Sequence, residues 1–408
     1  MNPEGMHTRN SRPQRILMLL DNAFPPDVRV ENEALSLVEA GFEVVLLAIG
    51  PDNRPRVEMH RGFTVVRCRI HRKLRDWMRG LSGTIPLLSF FILWQVRRMW
   101  RRYPFDAVHA HDLYMCGGAL RAARRFGKPV VADLHENWVH VLRHYAWSTR
   151  FPGKLFISLR RWRWLERKWV LEAARLLVIV PRTKTRYVQL GVSAHRITVL
   201  PNTINVRDFD AYPIDQAVID ELESSFTITY TGTINLHRGL DLLIRALPAV
   251  VNACHARLVV VGDGRIRSEL EALVRRLGIA AHVWFTGWQD QHLLKSFILG
   301  SDVCVAPHVK GPHNDAALPH KLFHYMYLKR PVVVTDCAPM QRIVEQHNCG
   351  VVTPYGDVNA LSSALLELHG NSELRRQMGA NGYRAVVERY NWSCSARELV
   401  RMYRELFS

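Results

Sequence analysis

The sequence predicts an α/β protein with two doubly wound, Rossmann-like domains in tandem. The chain has 408 residues, too many for one ordinary hydrophobic core, which suggests two domains of roughly 200 residues each. Short apolar strands alternate with amphipathic helices, a pattern typical of parallel sheets that are covered by helices on both faces. This alternation runs through the first half and starts again after residues 200–203, LPNT.

The first half opens with an apolar strand over residues 16–20 and a loop that contains two prolines. An amphipathic stretch over residues 30–40 predicts a helix, which Gly41 would cap before a second strand over residues 42–49. The pattern continues with a strand over residues 107–110, a helix over 113–126, and strands over 129–133 and 176–180.

The second half begins with a strand over residues 227–230, a glycine-bounded loop over 232–239 and a helix over 240–251. Ligands of open parallel sheets bind beyond the carboxyl ends of the strands, so the loops that follow the strands are where functional residues are expected. The remaining predicted elements are a strand over 257–261, a turn over 262–264, a helix over 267–277, and strands over 283–286, 303–306 and 331–335.

These elements give a predicted domain plan. We expect a disordered tail over residues 1–14, an N-terminal domain over 15–205, a C-terminal domain over 206–385 and a terminal helix over 386–408. The tail is polar and lacks the apolar core of a secretory signal. The most apolar run, residues 81–94, falls short of the ~20 apolar residues that a spanning helix needs, so no transmembrane segment is predicted.

The seven cysteines are scattered along the chain, and no Cys-x-x-Cys pair occurs. This spacing suggests neither a disulfide framework nor a structural zinc site, and it fits a reducing cytoplasm.

The net charge of +18 is unevenly distributed. Residues 1–205 carry 34 Lys and Arg against 16 Asp and Glu, whereas residues 206–408 carry 21 of each. The excess positive charge therefore lies in the first half. Such a split suggests a polyanion that faces one domain only, either nucleic acid or an acidic membrane surface.

Two segments of the first half, residues 69–102 and 143–169, interleave Arg and Lys with Trp, Phe and Leu. Cationic side chains attract anionic headgroups while tryptophans settle at the membrane interface. An ordinary solvated helix whose aromatic side chains face the core is the alternative. Nucleic-acid binding would use the same residue types, but no recognition motif accompanies them. We therefore predict a peripheral protein on the anionic inner face of the plasma membrane, with no nucleic-acid partner.

Several phrases of the sequence resemble, in order and spacing, the retaining GT-B fold glycosyltransferases of the family 4 type, also called glycosyl transferases group 1. The resemblance implies an N-terminal acceptor domain and a C-terminal nucleotide-sugar domain that face a cleft, with a terminal helix that returns to the first domain. The phrases include FPPDVRVENEALSLVEAGFEVVLLA, PVVADLHENW, YTGTINLHRGLDLLIRAL, VVVGDGRIRSEL and LPHKLFHYMYLKRPVVVTD.

On the donor side, Gly232 and Arg238 match the family's glycine turn and basic residue, a combination that suits a pyrophosphate. The family has a second basic residue directly after this glycine, where this chain has Thr233. The alternative is a simple strand-to-helix turn followed by a solvated arginine. Gly287 and Trp288 match the segment that lies beside the nucleobase in the family.

The stretch from Leu318 to His324 predicts an anion site at the start of a helix. Pro319 suits the first helical position, and the free N–H groups of that turn, His320 included, would bind donor phosphates together with Lys321. The family has two glutamates separated by seven residues here, one that contacts the donor sugar and one that holds the ribose.

This chain has Ala316 and His324 at those two positions. A neutral imidazole can still hydrogen-bond a ribose diol. A histidine packed on a half-buried helix and a degenerate site are the other interpretations.

On the acceptor side, His135 matches the family's cleft histidine, which supports the reaction by hydrogen bonding. Asp27 and Arg29 fit an acceptor-contacting loop, although a salt bridge at the helix entry explains them nearly as well. His109 and His111 point to the same face of a strand, a spacing that metallohydrolases use. No further ligand set with suitable spacing accompanies them, so we predict no metal and expect His111 to line the cleft.

The predicted function is therefore a metal-independent, retaining glycosyltransferase without a cofactor. It would move a sugar from a UDP- or GDP-linked donor to a hydroxyl of a lipid-linked glycan or a surface polysaccharide precursor, with His135 and Arg238 as the catalytic residues. A nucleotide-sugar epimerase of related fold and a non-catalytic relic of the fold are the alternatives.

Overall fold

The structure is a computed structural model that describes residues 12–135, 138–142 and 157–408. Its contacts divide the chain into two compact units. Unit 1 is the chain up to Val199 together with Ala396–Ser408, and unit 2 is Leu200–Ser395.

Unit 1 contains an eight-stranded sheet in the order β3-β4-β2-β1-β5-β6-β7-β8. All neighbours pair in parallel except β3 and β4, which form an antiparallel edge. The strands are β1 Arg15–Leu20, β2 Glu43–Gly50, β3 Val57–His60, β4 Phe63–Arg69, β5 Ala107–His111, β6 Val130–Leu134, β7 Arg175–Val178 and β8 Ile197–Val199. The helices of this part are α1 Val28–Glu39, α2 Arg72–Leu81, α3 Leu87–Trp100, α4 Leu113–Phe126, α5 Trp138–Val141, α6 Leu159–Glu172 and α7 Pro181–Gln189.

Unit 2 contains a six-stranded, fully parallel sheet in the order β11-β10-β9-β12-β13-β14. Its strands are β9 Phe226–Thr231, β10 Ala256–Val261, β11 Val283–Gly287, β12 Val303–Ala306, β13 Val332–Thr335 and β14 Gly350–Thr353. Its helices are α8 Val206–Asp210, α9 Gln216–Leu222, α10 Leu240–Ala253, α11 Arg267–Arg276, α12 Gln291–Leu299, α13 His320–Tyr327, α14 Ala338–His347, α15 Val358–Gly370 and α16 Ser372–Glu388, and α17 Trp392–Phe407 closes the chain.

The predicted fold class is confirmed, because both units are α/β domains built on parallel sheets. The central strands are almost wholly buried and apolar, as sheets with helices on both faces require. One feature was not predicted, namely the β3–β4 hairpin at the edge of unit 1. Its turn places Arg61 and Gly62 at φ 46° and 99°, the left-handed conformation of tight hairpin turns.

Each sheet has a topological switch point, where the strand order reverses. In unit 1 it lies between β1 and β5, and in unit 2 between β9 and β12. Loops that leave the carboxyl ends of such strand pairs diverge to opposite faces of the sheet and leave a crevice. Gly232 follows β9 and His111 ends β5 at these two points, whereas Gly287 and Trp288 lie at the end of the edge strand β11.

Candidate active site

The loops after β9 and β10 are held together by backbone contacts. Gly232 N–H donates to Val261 O at 2.8 Å, and Gly262 N–H donates to Gly287 O at 2.9 Å. Gly262 has a φ of 142°, and a Cβ there would lie 2.1 Å from Gly232 O. Backbone packing thus explains why residue 262 is a glycine, and no ligand is needed for this. The finding agrees with the turn predicted over residues 262–264.

A cluster of basic side chains lies beside Gly232 at the unit 2 switch point. Lys321 Nζ lies 3.5 Å from the centroid of the Tyr230 ring and 2.9 Å from where a Cβ on Gly232 would be. The Arg238 Nη1 lies 3.3 Å from Nε2 of His308, which follows β12. We call Arg238, His308 and Lys321 the cationic cluster.

The cationic cluster has no counter-charge within the described ranges. No ion pair joins Arg238 or Lys321 to a carboxylate there, and Arg238 Nε and Lys321 Nζ are buried without a hydrogen-bond acceptor. Lys321 is only 9% exposed. Buried cationic donors without acceptors are costly, so this arrangement favours an anion with several oxygen atoms.

The protonation of the cluster reflects the same lack of anions. Burial, followed by the charge of Arg238, holds the pKa of Lys321 well below its ordinary value. Burial, followed by Arg238 and Lys321, likewise lowers the pKa of His308. An anion placed among them would reverse the effect of the neighbouring charges.

Helix α13 begins at His320, one residue later than predicted, because Pro319 is its N-cap, with an extended backbone. Leu318 is buried just before it.

His324 lies three residues after Lys321, on the same side of the helix. Its ring stacks on Phe209 with centroids 4.7 Å apart and an interplanar angle of 8°. Burial, then His320 and Lys321, lowers the pKa of His324 to about 3, so its imidazole is neutral.

Two further donor-side predictions lie in loops of unit 2. Trp288 follows β11 and is 74% exposed, so the faces of its indole are open to solvent. The carbonyl of Gly287 accepts from Gly262, which ties this loop to the end of β10. Thr233 is fixed through its carbonyl, which accepts a hydrogen bond from Tyr230 Oη at 2.8 Å.

In unit 1, a buried ion pair lies at the carboxyl ends of β5 and β6. Arg29 of α1 donates to both carboxylate oxygens of Asp133, at 2.7 and 2.9 Å. His111 Nδ1 lies 3.2 Å from Asp133 Oδ2. Burial alone would raise the pKa of Asp133, but Arg29 and His135 hold it well below its ordinary value. Arg29 and His111 are thus buried neighbours in this structure, and Asp27 is the N-cap of α1.

A second buried chain links this ion pair to the terminal helix. The His109 Nδ1 lies 2.9 Å from Tyr403 Oη, and its Nε2 lies 3.3 Å from Glu33 Oε2. Burial, then Asp133, raises the pKa of Glu33, whereas burial, then His111, lowers that of His109. Both shifts act towards the uncharged forms, and the contact between His109 and Tyr403 is the one in this chain with hydrogen-bond geometry.

Four of these buried residues bring possible metal ligands within 4.8 Å of one another. Arg29 already occupies this place, since its guanidinium bonds both oxygens of Asp133 and its Nε lies 3.0 Å from Glu33 Oε1. A cation would have to compete with this guanidinium for the same carboxylates. The four residues are Glu33, His109, His111 and Asp133.

His135 directly follows β6 and lies at the edge of this network, 17% exposed. Its Nδ1 is 3.5 Å from Asp112 Oδ1 and its Nε2 is 3.7 Å from Asp133 Oδ2. Burial alone would lower the pKa of His135, but the carboxylates of Asp112 and Asp133 outweigh it, and the pKa is raised. The structure thus favours an imidazolium at this position.

Comparison with known families decides the identity. Residues 26–203 match the model of the glycosyl transferase 4-like domain, and residues 225–371 match that of glycosyl transferases group 1. Together the two models match most of the chain. The chain belongs to the group 1 glycosyltransferases.

Curated relatives of this glycosyltransferase share about a quarter of their residues with it. The phosphatidyl-myo-inositol mannosyltransferase of Mycobacterium leprae is 28% identical, over 79% of this chain and 80% of the relative. The alpha-D-kanosaminyltransferase of Streptomyces kanamyceticus is 25% identical, over 80% of this chain and 84% of the relative.

Solved structures show the same fold. Sucrose-phosphate synthase from Thermosynechococcus elongatus superposes with a TM-score of 0.76 at 19% identity, covering 97% of this chain and 99% of that one. HepE of Anabaena, in complex with UDP, gives a TM-score of 0.70 at 15% identity, over 96% of this chain and 100% of that one. The glycosyltransferase described above therefore has the GT-B fold that its sequence predicts.

Proposed function

We propose that this glycosyltransferase moves a sugar, with retention of configuration, from a UDP- or GDP-linked donor to a hydroxyl of a lipid-linked glycan or a surface polysaccharide precursor. The observation that carries the donor assignment is the cationic cluster, with its buried donors that lack acceptors. A diphosphate would supply the missing oxygen atoms and charge. HepE, a structural neighbour, is known in complex with UDP.

In the proposed reaction, the bond between the anomeric carbon and the diphosphate oxygen breaks, and the acceptor oxygen bonds to the same face of that carbon. The departing phosphate takes the proton of the acceptor hydroxyl, so no carboxylate nucleophile is required. Negative charge grows on the diphosphate as it leaves, and Arg238, Lys321 and the first N–H groups of α13 would stabilise it.

On unit 1, we propose that His135 hydrogen-bonds the transferring sugar. The Asp112 and Asp133 carboxylates favour its charged form, and Arg29 and His111 hold Asp133 in place. Asp27, at the entry of α1, is proposed as an acceptor contact of the adjoining loop. In this proposal, the buried network of unit 1 positions the imidazole of His135.

His324 is proposed to contact the ribose, and Trp288 with Gly287 to border the base. We expect His324→Leu to weaken UDP or GDP binding by about tenfold, the value of one hydrogen bond lost. His324→Glu should preserve or raise the affinity, because a carboxylate accepts from both ribose hydroxyls. Titration calorimetry measures both, and indifference to both changes would show that the imidazole only packs on Phe209.

Nucleotide binding should be coupled to proton uptake. The pKa values of Lys321 and His308 are lowered by burial and by neighbouring cations, and a bound diphosphate would raise both. Protons are then taken up on binding, and affinity rises as the pH falls through the raised pKa values of the bound state. Calorimetry in buffers of different ionisation enthalpy measures the uptake, which Lys321→Met should reduce. Proton release on binding would contradict this account.

We propose that transfer needs no metal ion, because the positive charge at the diphosphate comes from Arg238 and Lys321. Dialysis against EDTA should leave the transfer rate unchanged within about twofold, a difference too small for the loss of a Lewis acid. A loss of activity that Mg²⁺ or Zn²⁺ restores would contradict this prediction. A metal analysis of the purified protein completes the test for the Glu33 and His109 cluster.

The acceptor is proposed to be presented at an anionic membrane surface. Exposed apolar side chains alternate with Arg and Lys in residues 69–102 and 157–169. The first part of the second predicted segment, residues 143–156, lies outside the described residues. No helix in the described ranges is long and apolar enough to cross a membrane. The exposed apolar side chains in these segments are Leu74, Trp77, Ile85, Leu87, Phe90, Trp94 and Trp164.

A donor screen tests the proposed function. The purified protein is mixed with UDP- and GDP-linked sugars, and acceptor-free hydrolysis and thermal stabilisation by UDP and GDP are recorded. Hydrolysis of at least one donor, together with stabilisation by the matching nucleotide, is expected. If no donor is hydrolysed and neither nucleotide stabilises the protein, the proposal is overturned. Conversion of a nucleotide-sugar without hydrolysis would favour an epimerase.

A further inference from the structure

A cavity of about 280 Å³ lies in unit 1, away from the switch point, where α4, α6 and the turn between α2 and α3 meet. Four cationic side chains line it, namely Arg121, Arg124, Arg161 and Lys168. We call it the Arg121 cavity. Its floor is made by the close packing of Gly117 of α4, where a Cβ would lie 2.6 Å from Ser89 Oγ and 2.7 Å from the Trp169 ring.

The charges of the Arg121 cavity are largely unbalanced. Arg124 pairs with Glu172 at 2.5 Å. In the chain segments that the structure describes, no carboxylate forms an ion pair with Arg121, Arg161 or Lys168. Ser89 also lines the cavity and is only 2% exposed, so its hydroxyl adds a hydrogen-bonding group to the lining. A serine hydroxyl in the same lining as unpaired cations suits an anionic oxygen ligand.

Aromatic side chains border the same cavity. The Arg121 guanidinium lies 4.6 Å from the centroid of the Phe90 ring, and Lys168 Nζ lies 5.1 Å from that of Trp164. Phe90 and Trp164 are 52% and 57% exposed. On α3, Leu87, Phe90 and Trp94 follow a helical spacing and share one exposed face. Such rings lie where headgroups meet acyl chains, with cations at the phosphates.

We propose that the Arg121 cavity binds the phosphodiester of an anionic phospholipid headgroup, while Phe90, Trp94 and Trp164 enter the interface beside it. The inference rests on the proposed function, in that it assigns a specific lipid contact to the membrane surface proposed there. This inference goes beyond a general attraction between charges, because it assigns one headgroup to a defined cavity whose side chains donate hydrogen bonds to it.

The test compares two double variants on α6 with the same change of charge. R161Q/K168Q removes two cations from the cavity, and R163Q/R167Q removes two exposed cations that do not line it. Binding to phosphatidylcholine vesicles that contain phosphatidylglycerol is measured by sedimentation. The cavity pair should lose about tenfold more affinity than the control pair, because it loses direct hydrogen bonds in addition to charge. Equal losses would overturn the proposal.

Three further measurements separate the possible ligands. Short-chain phosphatidylglycerol in solution should bind the wild type and not R161Q/K168Q. Inorganic phosphate that binds as tightly as this lipid would overturn the lipid assignment, as would tighter binding of a single-stranded RNA. Thermal stabilisation by UDP or GDP should be unchanged in both double variants, because their substitutions lie in unit 1. A failure of vesicle binding is thereby distinguished from a failure of donor binding.

Discussion

Replacing Arg238 with alanine is expected to lower kcat by about a hundred- to a thousandfold, the usual loss when a preorganised donor to developing charge is removed. The guanidinium lies against His308 and its Nε has no acceptor in the described chain, so the side chain is held ready for an anion. The diphosphate gains charge as it leaves, and the loss should therefore appear mainly in kcat. Nucleotide affinity should fall less, because Lys321 and His308 remain.

Arg245→Ala is the matched control, since Arg245 is an exposed arginine of α10 in the same unit. It should leave the rate within about twofold, as surface substitutions generally do. The kcat of Lys321→Met is measured in the same way. The double variant, Arg238→Ala with Lys321→Met, tests whether the two cations act on the same group. Strictly additive losses would show that the two cations act independently of each other. An unchanged kcat in Arg238→Ala would show that the cationic cluster does not face the leaving group.

Replacing His135 with alanine is expected to lower the transfer rate by about a hundredfold or more, the range for a positioned histidine. The carboxylates of Asp112 and Asp133 raise its pKa, and we propose that the imidazolium is the active form. A group whose pKa is raised loses its proton, and its contribution, as the pH rises through that pKa. The wild-type rate should thus decline on the alkaline side, and His135→Gln should remove this decline.

His195→Ala is the control for this variant, because His195 is an exposed histidine of unit 1. Thermal stabilisation by the donor nucleotide should be intact in His135→Ala, since the cationic cluster lies in unit 2. A variant that keeps both the wild-type rate and its pH profile would exclude His135 from the reaction. A variant that loses the nucleotide response would point to a damaged fold.

Much of the fold could be predicted because parallel strands must be buried on both faces and therefore appear as apolar runs. The β3–β4 hairpin could not be, because its second strand carries the basic residues Arg67 and Arg69, which suggest a solvated segment. Arg67 is nevertheless buried, since its guanidinium pairs with Asp52 at 3.0 Å and donates to the carbonyl of Phe24 at 3.1 Å. Only the folded chain brings these acceptors to it.

In the candidate site, too, some residues could be predicted from the sequence and others could not. Gly232, Arg238 and Lys321 stand out in the sequence, because glycine turns and cations at helix starts suit anions wherever they occur. His308 was missed, although it follows an apolar strand, because it meets Arg238 only through the pairing of β12 with β9. Tyr403 was missed for a related reason, since it is nearly three hundred residues from His109 in the chain.

The central claim is that the cationic cluster holds the donor diphosphate, and a crystal structure of the protein with UDP or GDP tests it most directly. The diphosphate oxygens are expected within hydrogen-bond distance of Arg238 and Lys321, with the ribose at His324. A nucleotide bound elsewhere, with Lys321 still without an acceptor, would contradict the claim.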